Sequence, residues 1–286
     1  MRYASFLAVI VLAAGVAWGQ VTPDPELRKN RNTYSPVMEL LKSRRTPATD
    51  AQLEELKTFP FEAIWGTVKG LGYNTYWTGL KPTRPEARVV GRALTMRYLP
   101  RRPDLDEAVK TLAKNGDWPE GYHVRAAEEA KPGDVLVVDL GGALTTGVFF
   151  GDISALGAEM AGARGAVLYG STRDLGELKY MKDFPVFASG FDPNPALQVG
   201  VEWNIPIRVG DATVLPGDVV VVEEEAVLFF PPELTVKVIE GARKIVEKEI
   251  FERKVARQKK YRFRDVYPLN PELQKQFEEE QGKKQQ

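Results

Sequence analysis

The amino-acid sequence predicts a single main α/β domain built around a sheet of mixed strand direction. Strand, turn and helix patterns alternate twice between residues 134 and 188, which is typical of parallel strands joined by right-handed crossovers. Residues 199–230 instead match a series of short strands without helices between them, which indicates antiparallel pairing. Pro132-Gly133-Asp134 and Pro216-Gly217-Asp218 each form a turn signal that introduces a valine-rich strand.

The first twenty residues have the pattern of a secretory signal. Arg2 precedes an apolar run from Ala4 to Ala17, and small residues near Gly19 suit signal peptidase. We expect a signal peptide over residues 1–19 and a periplasmic or secreted protein. An uncleaved N-terminal anchor helix is the alternative, although the run is short for a membrane span of about 20 residues. No membrane association is expected after cleavage.

The composition excludes several classes of protein and site. The 286 residues include no cysteine, so a disulfide framework and a thiol nucleophile are both excluded. The 39 Lys and Arg residues balance the 39 Asp and Glu residues, so the chain has no net charge to attract nucleic acid. His123 is the single histidine, which argues against hydrolases with a histidine base and zinc sites with several imidazoles. Any metal must therefore be held by oxygen.

The N-terminal third of the chain leads from a polar arm into the domain. Residues 20–49 are rich in proline and polar residues, with one short helical patch at Pro36 to Leu41. The spacing of apolar residues predicts a helix over 51–72 that stops at its glycines. A strand is predicted over Ala87 to Tyr98, followed by an amphipathic helix over Asp104 to Lys114.

The middle of the chain carries the strand and helix alternation. Strands are predicted at 134–140, 165–169 and 185–188, with helices beginning at Asp152 and Leu175. The first helix is predicted to face inward through Ile153, Leu156, Gly157 and Met160. The main domain is predicted to span residues 50–255. Residues 256–286 form a charged C-terminal tail, and its last part is expected to be disordered or loosely attached.

Two polar loops leave the carboxyl ends of neighbouring predicted strands, where ligands bind in parallel α/β sheets. Because residues 141–152 and 170–174 should open on the same edge, we expect Asp152, Arg173 and Asp174 to face one cavity. Asp174 is the candidate ligand for Mg²⁺ or Mn²⁺. Arg173 can grip a carboxylate or stabilise an enolate oxygen. Backbone N–H groups at the helix start suit an acid group.

The alternative interpretation of the same three residues is structural. Asp152 and Asp174 each lie where a helix N-cap belongs, and aspartate is a favoured cap. Arg173 can then simply pair with either carboxylate. The residues alone leave both interpretations open.

The chain resembles the RraA-like proteins, also called class II 4-hydroxy-4-methyl-2-oxoglutarate/4-carboxy-4-hydroxy-2-oxoadipate aldolases. The resemblance rests on Gly151-Asp152 and Arg173-Asp174, separated by twenty residues as in the family signature. The entry strand from Glu86 to Ala93 and the closing hairpin after Pro216-Gly217-Asp218 are similar too, and the resemblance covers roughly residues 50–255. It implies a swivelling β/β/α sandwich, assembled as a homotrimer or a dimer of trimers with sites between subunits.

The resemblance also implies an activity and residue roles. Asp174 would coordinate Mg²⁺ or Mn²⁺, Arg173 would bind and polarise a small 2-oxo acid, and Asp152 would orient metal-bound water. Gly151, Ile153 and Ser154 would contact the substrate with Arg173. The implied activity is retro-aldol cleavage or decarboxylation that releases pyruvate through an enolate. The alternative is a non-catalytic regulatory or binding protein that keeps this fold.

A few other residues invite a functional interpretation. A glutamate from a neighbouring subunit is expected at the family site, and Glu247 and Glu249 both lie in the right region. His123 is predicted to be a surface loop residue rather than a catalyst. An aromatic group near two glycines is predicted to pack helix against strand rather than to line a sugar pocket; it comprises Trp65, Tyr73, Tyr76 and Trp77.

Overall fold

A computed structural model describes residues 34–43, 45–114, 121–195 and 197–284 of the chain. The chain divides into two units, Met1–Arg45 and Thr46–Gln286. In the first unit the described residues form helix α1, Tyr34–Lys42, which includes the predicted helical patch. The predicted signal peptide lies outside the described residues.

The second unit contains the sheet and the remaining helices. The strands are β1 (Tyr76–Trp77), β2 (Lys81–Pro82), β3 (Val89–Pro100), β4 (Asp134–Asp139), β5 (Ala166–Thr172), β6 (Val186–Phe191), β7 (Gln198–Trp203), β8 (Ile207–Val209), β9 (Ala212–Val214), β10 (Val219–Val222) and β11 (Val227–Phe230). The helices are α2 (Asp50–Leu56), α3 (Phe61–Gly70), α4 (Pro103–Lys114), α5 (Tyr122–Glu129), α6 (Asp152–Met160), α7 (Leu175–Leu178), α8 (Thr235–Arg257), α9 (Phe263–Val266) and α10 (Pro271–Lys284).

Nine of the described strands form one mixed sheet in the order β1-β11-β10-β3-β4-β5-β6-β2, with β7 also paired to β3. Strands β3, β4, β5 and β6 run parallel, as the alternating pattern predicts. Strands β10, β11 and β1 continue the sheet with antiparallel pairing. The prediction of an α/β domain with a mixed sheet is therefore confirmed.

Both faces of the sheet are covered, which explains why its strands are continuously apolar. On one face, Leu136 and Val138 of β4 pack in a core with residues of α5 and α6. On the opposite face, Val135 and Val137 pack in a core shared with the hairpin of β8 and β9. Helices α2, α3 and α8 share a further core with Val90 and with residues of β10 and β11. The architecture is thus helices, sheet and hairpin in layers.

The predicted helix over 51–72 is two helices, α2 and α3. Thr49 caps α2 in a reciprocal pair with Gln52, and Pro60 occupies the N-cap of α3. A proline has no N–H group and disfavours helical geometry in the preceding residue, so the helix breaks at Pro60. The apolar periodicity of the sequence continues across this break and hides it.

The predicted inward face of α6 is wrong for three of its four residues. Ile153 and Met160 are 76% and 80% exposed, and Leu156 is also exposed. The buried residues are Ala155 and Ala158, and a Cβ at Gly157 would lie 2.7 Å from Ala127 Cβ of α5. The close approach of two helices selects small residues here, which leaves the large apolar ones outside.

The C-terminal tail is folded rather than disordered in the part the structure describes. Phe251 and Val255 of α8, Val266 of α9 and Leu273 of α10 form a small core of their own. Lys254 Nζ lies 2.7 Å from Glu280 Oε1 and links α8 to α10. The apolar residues are spaced among so many charges that composition alone suggests a solvated tail.

Among the residues that the structure describes, no helix has both the length and the apolar character needed to cross a bilayer.

Candidate functional site

The loop between β4 and α6 runs alongside the end of β5. Val148 forms a parallel bridge with Ser171. Phe149 N donates to Ser171 O at 3.1 Å, and Ser171 N donates to Gly147 O at 2.8 Å. Thr172 Oγ1 donates to Phe150 O at 2.9 Å. Through these hydrogen bonds, the loop segment pairs with β5 as a short additional strand would, and it is held beside the end of β5.

This pairing brings the two predicted dipeptides together. Arg173 Nε lies 3.4 Å from Asp174 Oδ2, and Asp152 N donates to the same carboxylate oxygen at 3.4 Å. A Cβ at Gly151 would overlap Asp174 Oδ2 and would lie 3.0 Å from Arg173 Nε. Glycine at 151 therefore leaves the space that the Asp174 carboxylate occupies.

The structure argues against the N-cap interpretation of both aspartates. Gly151 occupies the N-cap of α6, and Asp152 is the first helical residue. Asp174 occupies the N-cap of α7, yet its side chain makes no capping hydrogen bond there. Its backbone is left-handed, with φ 58° and ψ 40°. A residue other than glycine in this conformation is uncommon, and such strain concentrates at functional sites.

The site has the chemical character that a divalent cation and an organic acid require. The carboxylates of Asp152 and Asp174 are hard oxygen donors, the kind that Mg²⁺ and Mn²⁺ prefer. The Asp174 side chain remains 37% exposed, so it is accessible. Arg173 Nε is buried and has no hydrogen-bond acceptor among the described residues. A buried guanidinium nitrogen that forms an ion pair with a carboxylate but makes no hydrogen bond fits a site completed by a ligand.

Ile153 and Ser154 lie in the first turn of α6, directly after Asp152. Ile153 is exposed and Ser154 is half-buried. Their predicted contact with substrate is compatible with this position and stays a prediction.

His123 is not the surface loop residue that the sequence predicts. It lies in the first turn of α5 and is half-buried. Burial lowers the pKa of His123, and the positive charge of Arg173 lowers it further. Because the two residues are fifty positions apart, no local pattern links the histidine to the site.

A second acidic group lies on other elements of the fold. Carboxylate oxygens of Glu62, Glu223 and Glu225 lie within 4.8 Å of one another. A hydrogen bond to Glu62 and the charge of Glu62 raise the pKa of Glu225. Arg88 Nη1 lies 3.2 Å from Glu223 Oε2. This group is not apparent from the sequence, because Glu62 lies on α3 and the other two glutamates follow β10.

Trp65 and Tyr76, two of the four aromatic residues near Gly70 and Gly72, pack helix against strand as predicted, whereas Tyr73 is 38% exposed. Trp65 meets Tyr76 edge-on with ring centroids 5.9 Å apart. Trp77 meets Tyr169 in the same way at 5.9 Å. Of the two glutamates on α8 that the family resemblance leaves open, Glu249 pairs with Arg253 at 2.7 Å.

Comparison with known proteins identifies similar sequences. The sequence model of the RraA-like family, described as Aldolase/RraA, matches residues 64–229. An uncharacterized protein of Methanocaldococcus jannaschii is 31% identical over 144 residues, which are 50% of this chain and 68% of that protein. A 4-hydroxy-4-methyl-2-oxoglutarate aldolase of Thermus thermophilus is 32% identical over 108 residues, which are 37% of this chain and 65% of the relative.

Solved structures share the fold. An uncharacterized protein from Pseudomonas syringae has a TM-score of 0.64 at 20% identity, covering 78% of this chain and 95% of its own. Streptomyces coelicolor RraAS2, described as an unusual member of the RNase ES inhibitor RraA protein family, has a TM-score of 0.62 at 23% identity. That match covers 72% of this chain and 98% of RraAS2.

Proposed function

Because the chain belongs to the RraA-like family, we propose that it is a divalent-metal-dependent lyase that cleaves a small 2-oxo acid and releases pyruvate. The observation that carries the proposal is the convergence of Asp152, Arg173 and Asp174 around Gly151. The name of the Thermus thermophilus relative, an aldolase, supports the same reaction class.

The substrate would bind through its carboxylate and its 2-oxo group. The Arg173 guanidinium is the cation at the site and presents several N–H donors in one plane. The first turn of α6 adds backbone N–H groups and the positive end of the helix dipole, near Ile153 and Ser154. Both features favour an anionic ligand over a neutral one.

Asp174 is the residue that would hold Mg²⁺ or Mn²⁺, with Asp152 beside it. When bound, such a cation polarises the 2-oxo group of the substrate. In retro-aldol cleavage, the Asp152 carboxylate can accept the proton of the substrate hydroxyl, directly or through one water. The carbon–carbon bond then breaks and its electron pair passes toward the 2-oxo oxygen, where the charge of Arg173 stabilises it. Return of the proton to carbon yields pyruvate.

Decarboxylation of oxaloacetate uses the same flow of electrons. The bond that breaks joins the carboxylate to the carbon next to the 2-oxo group, and carbon dioxide leaves. Arg173 stabilises the enolate, and Asp152 delivers a proton from water to the carbon that lost carbon dioxide. One site therefore serves both reactions.

The exposed face of α6 supports the proposed homotrimer or dimer of trimers. Ile153, Leu156 and Met160 form an apolar strip immediately after the site, and exposed apolar surface of this kind is typical of interfaces. Burial of this strip against a second copy would place the site near a subunit boundary. Light scattering of the full chain is expected to report three or six copies, and Met160→Asp is expected to lower that number.

We further propose that the protein is exported. Mass measurement of the protein recovered from its native host should show a chain that begins close to Gln20. A chain that still begins at Met1 in the recovered protein would contradict export with cleavage.

The lyase proposal is tested by pyruvate release from oxaloacetate and from 4-hydroxy-4-methyl-2-oxoglutarate, with Mg²⁺ and with chelator. The wild type should turn over at least one compound only with metal, and Arg173→Ala and Asp174→Ala should both lose that turnover. Glu279→Gln, at an exposed position of α10, serves as a charge-removing reference for stability. Turnover that persists in Arg173→Ala, or no turnover at all, would favour a regulatory protein over the lyase.

A further inference from the structure

The α8–α9 corner, residues 257–267, carries large aromatic side chains on its surface. Helix α8 ends at Arg257, and the chain then turns at Lys259, whose backbone is left-handed with φ 55°. In the single turn of α9, the Tyr267 N–H donates to the Phe263 carbonyl oxygen at 2.9 Å, which places both side chains on one side of the corner. Phe263 is 71% exposed and Tyr267 is 64% exposed. Their ring centroids lie 6.2 Å apart, so the two rings form one apolar surface.

The α8–α9 corner is fixed to the rest of the C-terminal helices. Val266 of α9 is 1% exposed and packs with Val255 of α8 and Leu273 of α10. Arg262 donates two hydrogen bonds to Asp265, from Nε to Oδ2 at 2.8 Å and from Nη2 to Oδ1 at 3.2 Å. The exposed rings therefore lie on an ordered surface, and little conformational entropy is lost when a partner binds them.

Positive charge borders the two rings. Residues 253–264 contain seven Lys and Arg residues and no Asp or Glu. Three of the seven pair with carboxylates. Arg257, Lys259 and Lys260 are exposed and form no ion pair with a residue that the structure describes, and Arg264 is exposed as well. The α8–α9 corner thus combines an apolar surface with cations that are available to a partner.

The composition of the whole chain conceals this local charge. The 39 Lys and Arg residues balance the 39 Asp and Glu residues overall, yet the cations are concentrated at this corner. A long apolar run identifies a segment that spans a bilayer, but a surface that lies on a bilayer needs none. The α8–α9 corner therefore departs from the expectation that the cleaved protein has no membrane contact.

Anionic lipid is the partner that matches this combination of side chains. Aromatic residues are favoured at the boundary between lipid headgroups and acyl chains, and clustered Lys and Arg residues are attracted to anionic headgroups. Single-stranded nucleic acid also binds cations and aromatic rings, but its bases stack on separate ring faces. Phe263 and Tyr267 instead lie beside one another. The proposed export also brings the protein to a membrane.

We propose that the α8–α9 corner is a docking surface for membranes that contain anionic lipid. Phe263 and Tyr267 enter the boundary between headgroups and acyl chains, and the cations around them attract the lipid phosphate groups. The protein then lies on the membrane without spanning it. This contact does not depend on the proposed lyase reaction, so a failure of one leaves the other in place.

A fluorescent probe at the α8–α9 corner tests the contact. The chain has no cysteine, so Gln258→Cys gives a single attachment point for an environment-sensitive dye. The full chain is produced in its native host, so that any processing of the N-terminal run takes place. Vesicles of equal parts phosphatidylglycerol and phosphatidylcholine should shift the dye emission to the blue, and phosphatidylcholine alone should not. High salt should reverse the shift, because it screens exposed charges.

A second labelled chain controls for the position of the dye. Val236→Cys places the same dye at an exposed position at the other end of α8, about 33 Å away along the helix. Its emission should not change with either kind of vesicle. The probe reports its own surroundings, so contact through another part of the chain does not reproduce the expected pattern.

Matched double variants in the Gln258→Cys chain separate charge at the corner from charge elsewhere. Lys259→Gln, Lys260→Gln should need about tenfold more anionic lipid for half of the shift. Lys237→Gln, Lys244→Gln removes the same charge from the exposed surface of α8 and should leave the lipid requirement unchanged. Unchanged thermal unfolding of both double variants shows that they are folded.

Several results would overturn the docking surface. They are no shift on anionic vesicles, an equal shift on neutral vesicles, and an equal loss in the two double variants. A shift caused by a single-stranded oligonucleotide but not by vesicles would assign the corner to nucleic acid instead. A shift that grows with protein concentration alone would assign it to a second copy of the chain.

Discussion

In the part of the chain that the structure describes, two places combine carboxylates with an arginine, and they differ in what surrounds the carboxylates. At the end of β5, Asp174 has a left-handed backbone, a glycine that leaves space for its carboxylate, and a buried arginine nitrogen beside it. At the β10–β11 turn, Glu223 and Glu225 approach Glu62, and a hydrogen bond to Glu62 together with its charge raises the pKa of Glu225. At the first place, the strained backbone belongs to Asp174, whose carboxylate is accessible.

This difference shows that closeness of carboxylates alone does not identify a functional site. In the group of Glu62, Glu223 and Glu225, a hydrogen bond to Glu62 raises the pKa of Glu225, and Glu223 pairs with Arg88. The Asp174 carboxylate accepts a hydrogen bond from a backbone N–H and lies beside the Arg173 guanidinium. The left-handed backbone of Asp174 separates this place from the glutamate group.

The largest expected effect is on kcat/KM, when the arginine at each place is replaced by alanine. Arg173→Ala should lower kcat/KM by about 10²–10³-fold, as for loss of one group that stabilises transition-state charge. Arg88→Ala should leave kcat/KM unchanged and lower stability by about 1–3 kcal/mol, because Glu223 and the Phe59 carbonyl lose a buried partner. Steady-state kinetics and urea unfolding of both variants check this. The reverse pattern would contradict the assignment of the site.

Gly151→Ala should lower activity more than stability. The backbone of Gly151, with φ −117°, is open to alanine. The added Cβ would instead displace the Asp174 carboxylate, whose Oδ2 already occupies that position. Misplacement of about 1 Å can cost about 10²-fold in rate. An active Gly151→Ala variant with an unchanged metal requirement would show that the position of Asp174 is unimportant.

A smaller effect is expected from the pH dependence of stability. Burial and the charge of Arg173 lower the pKa of His123, so the folded protein binds this proton more weakly than the unfolded chain. The stabilisation contributed by neutral His123 is therefore present above the pKa of this residue in the unfolded chain, about 6.5. It is lost as pH falls from there through the lower pKa of the folded protein. His123→Gln should show a smaller fall in Tm between pH 7 and pH 5 than the wild type. Equal falls would show that His123 does not titrate abnormally.

The smallest effect is expected at Glu225. Hydrogen bonding with Glu62 and the Glu62 charge raise the pKa of Glu225, so its ionised form is disfavoured in the folded protein. The stabilisation contributed by protonated Glu225 is therefore fully present below the pKa of the unfolded chain. It is lost as pH rises through the pKa of the folded protein. Glu225→Gln should raise Tm slightly at pH 7, and the gain should disappear in acid. A lowered Tm at pH 7 would indicate that the carboxylate is stabilising.

The site residues were predictable because their proximity follows from local patterns. Two strand-to-helix loops after neighbouring parallel strands must open on one edge of the sheet, so Asp152 and Arg173-Asp174 meet despite the gap between them. The mixed sheet was predictable for the same reason, since the alternation before residue 190 and its loss afterwards are visible in sequence. The periodicity of apolar residues therefore indicates both the strand directions and the shared edge of the two loops.

The remaining features depend on packing between distant elements. Sequence periodicity marks an apolar face on α6 but does not reveal that α5 approaches closely at Gly157, which buries Ala155 and Ala158 instead. The charge of Arg173 acts on the pKa of His123 because α5 packs on α6.

Binding of Mn²⁺ to the full chain, followed by electron paramagnetic resonance, tests the central claim most directly. Asp174→Asn suits the experiment because asparagine tolerates the left-handed backbone and removes only the charge. The wild type should bind one Mn²⁺, Asp174→Asn should bind it at least about 100-fold more weakly, and the Glu62→Gln, Glu225→Gln double variant should bind it as the wild type does. Unchanged binding in Asp174→Asn, with loss in the double variant, would place the metal at Glu62 and Glu225 and would contradict a metal site at Asp174.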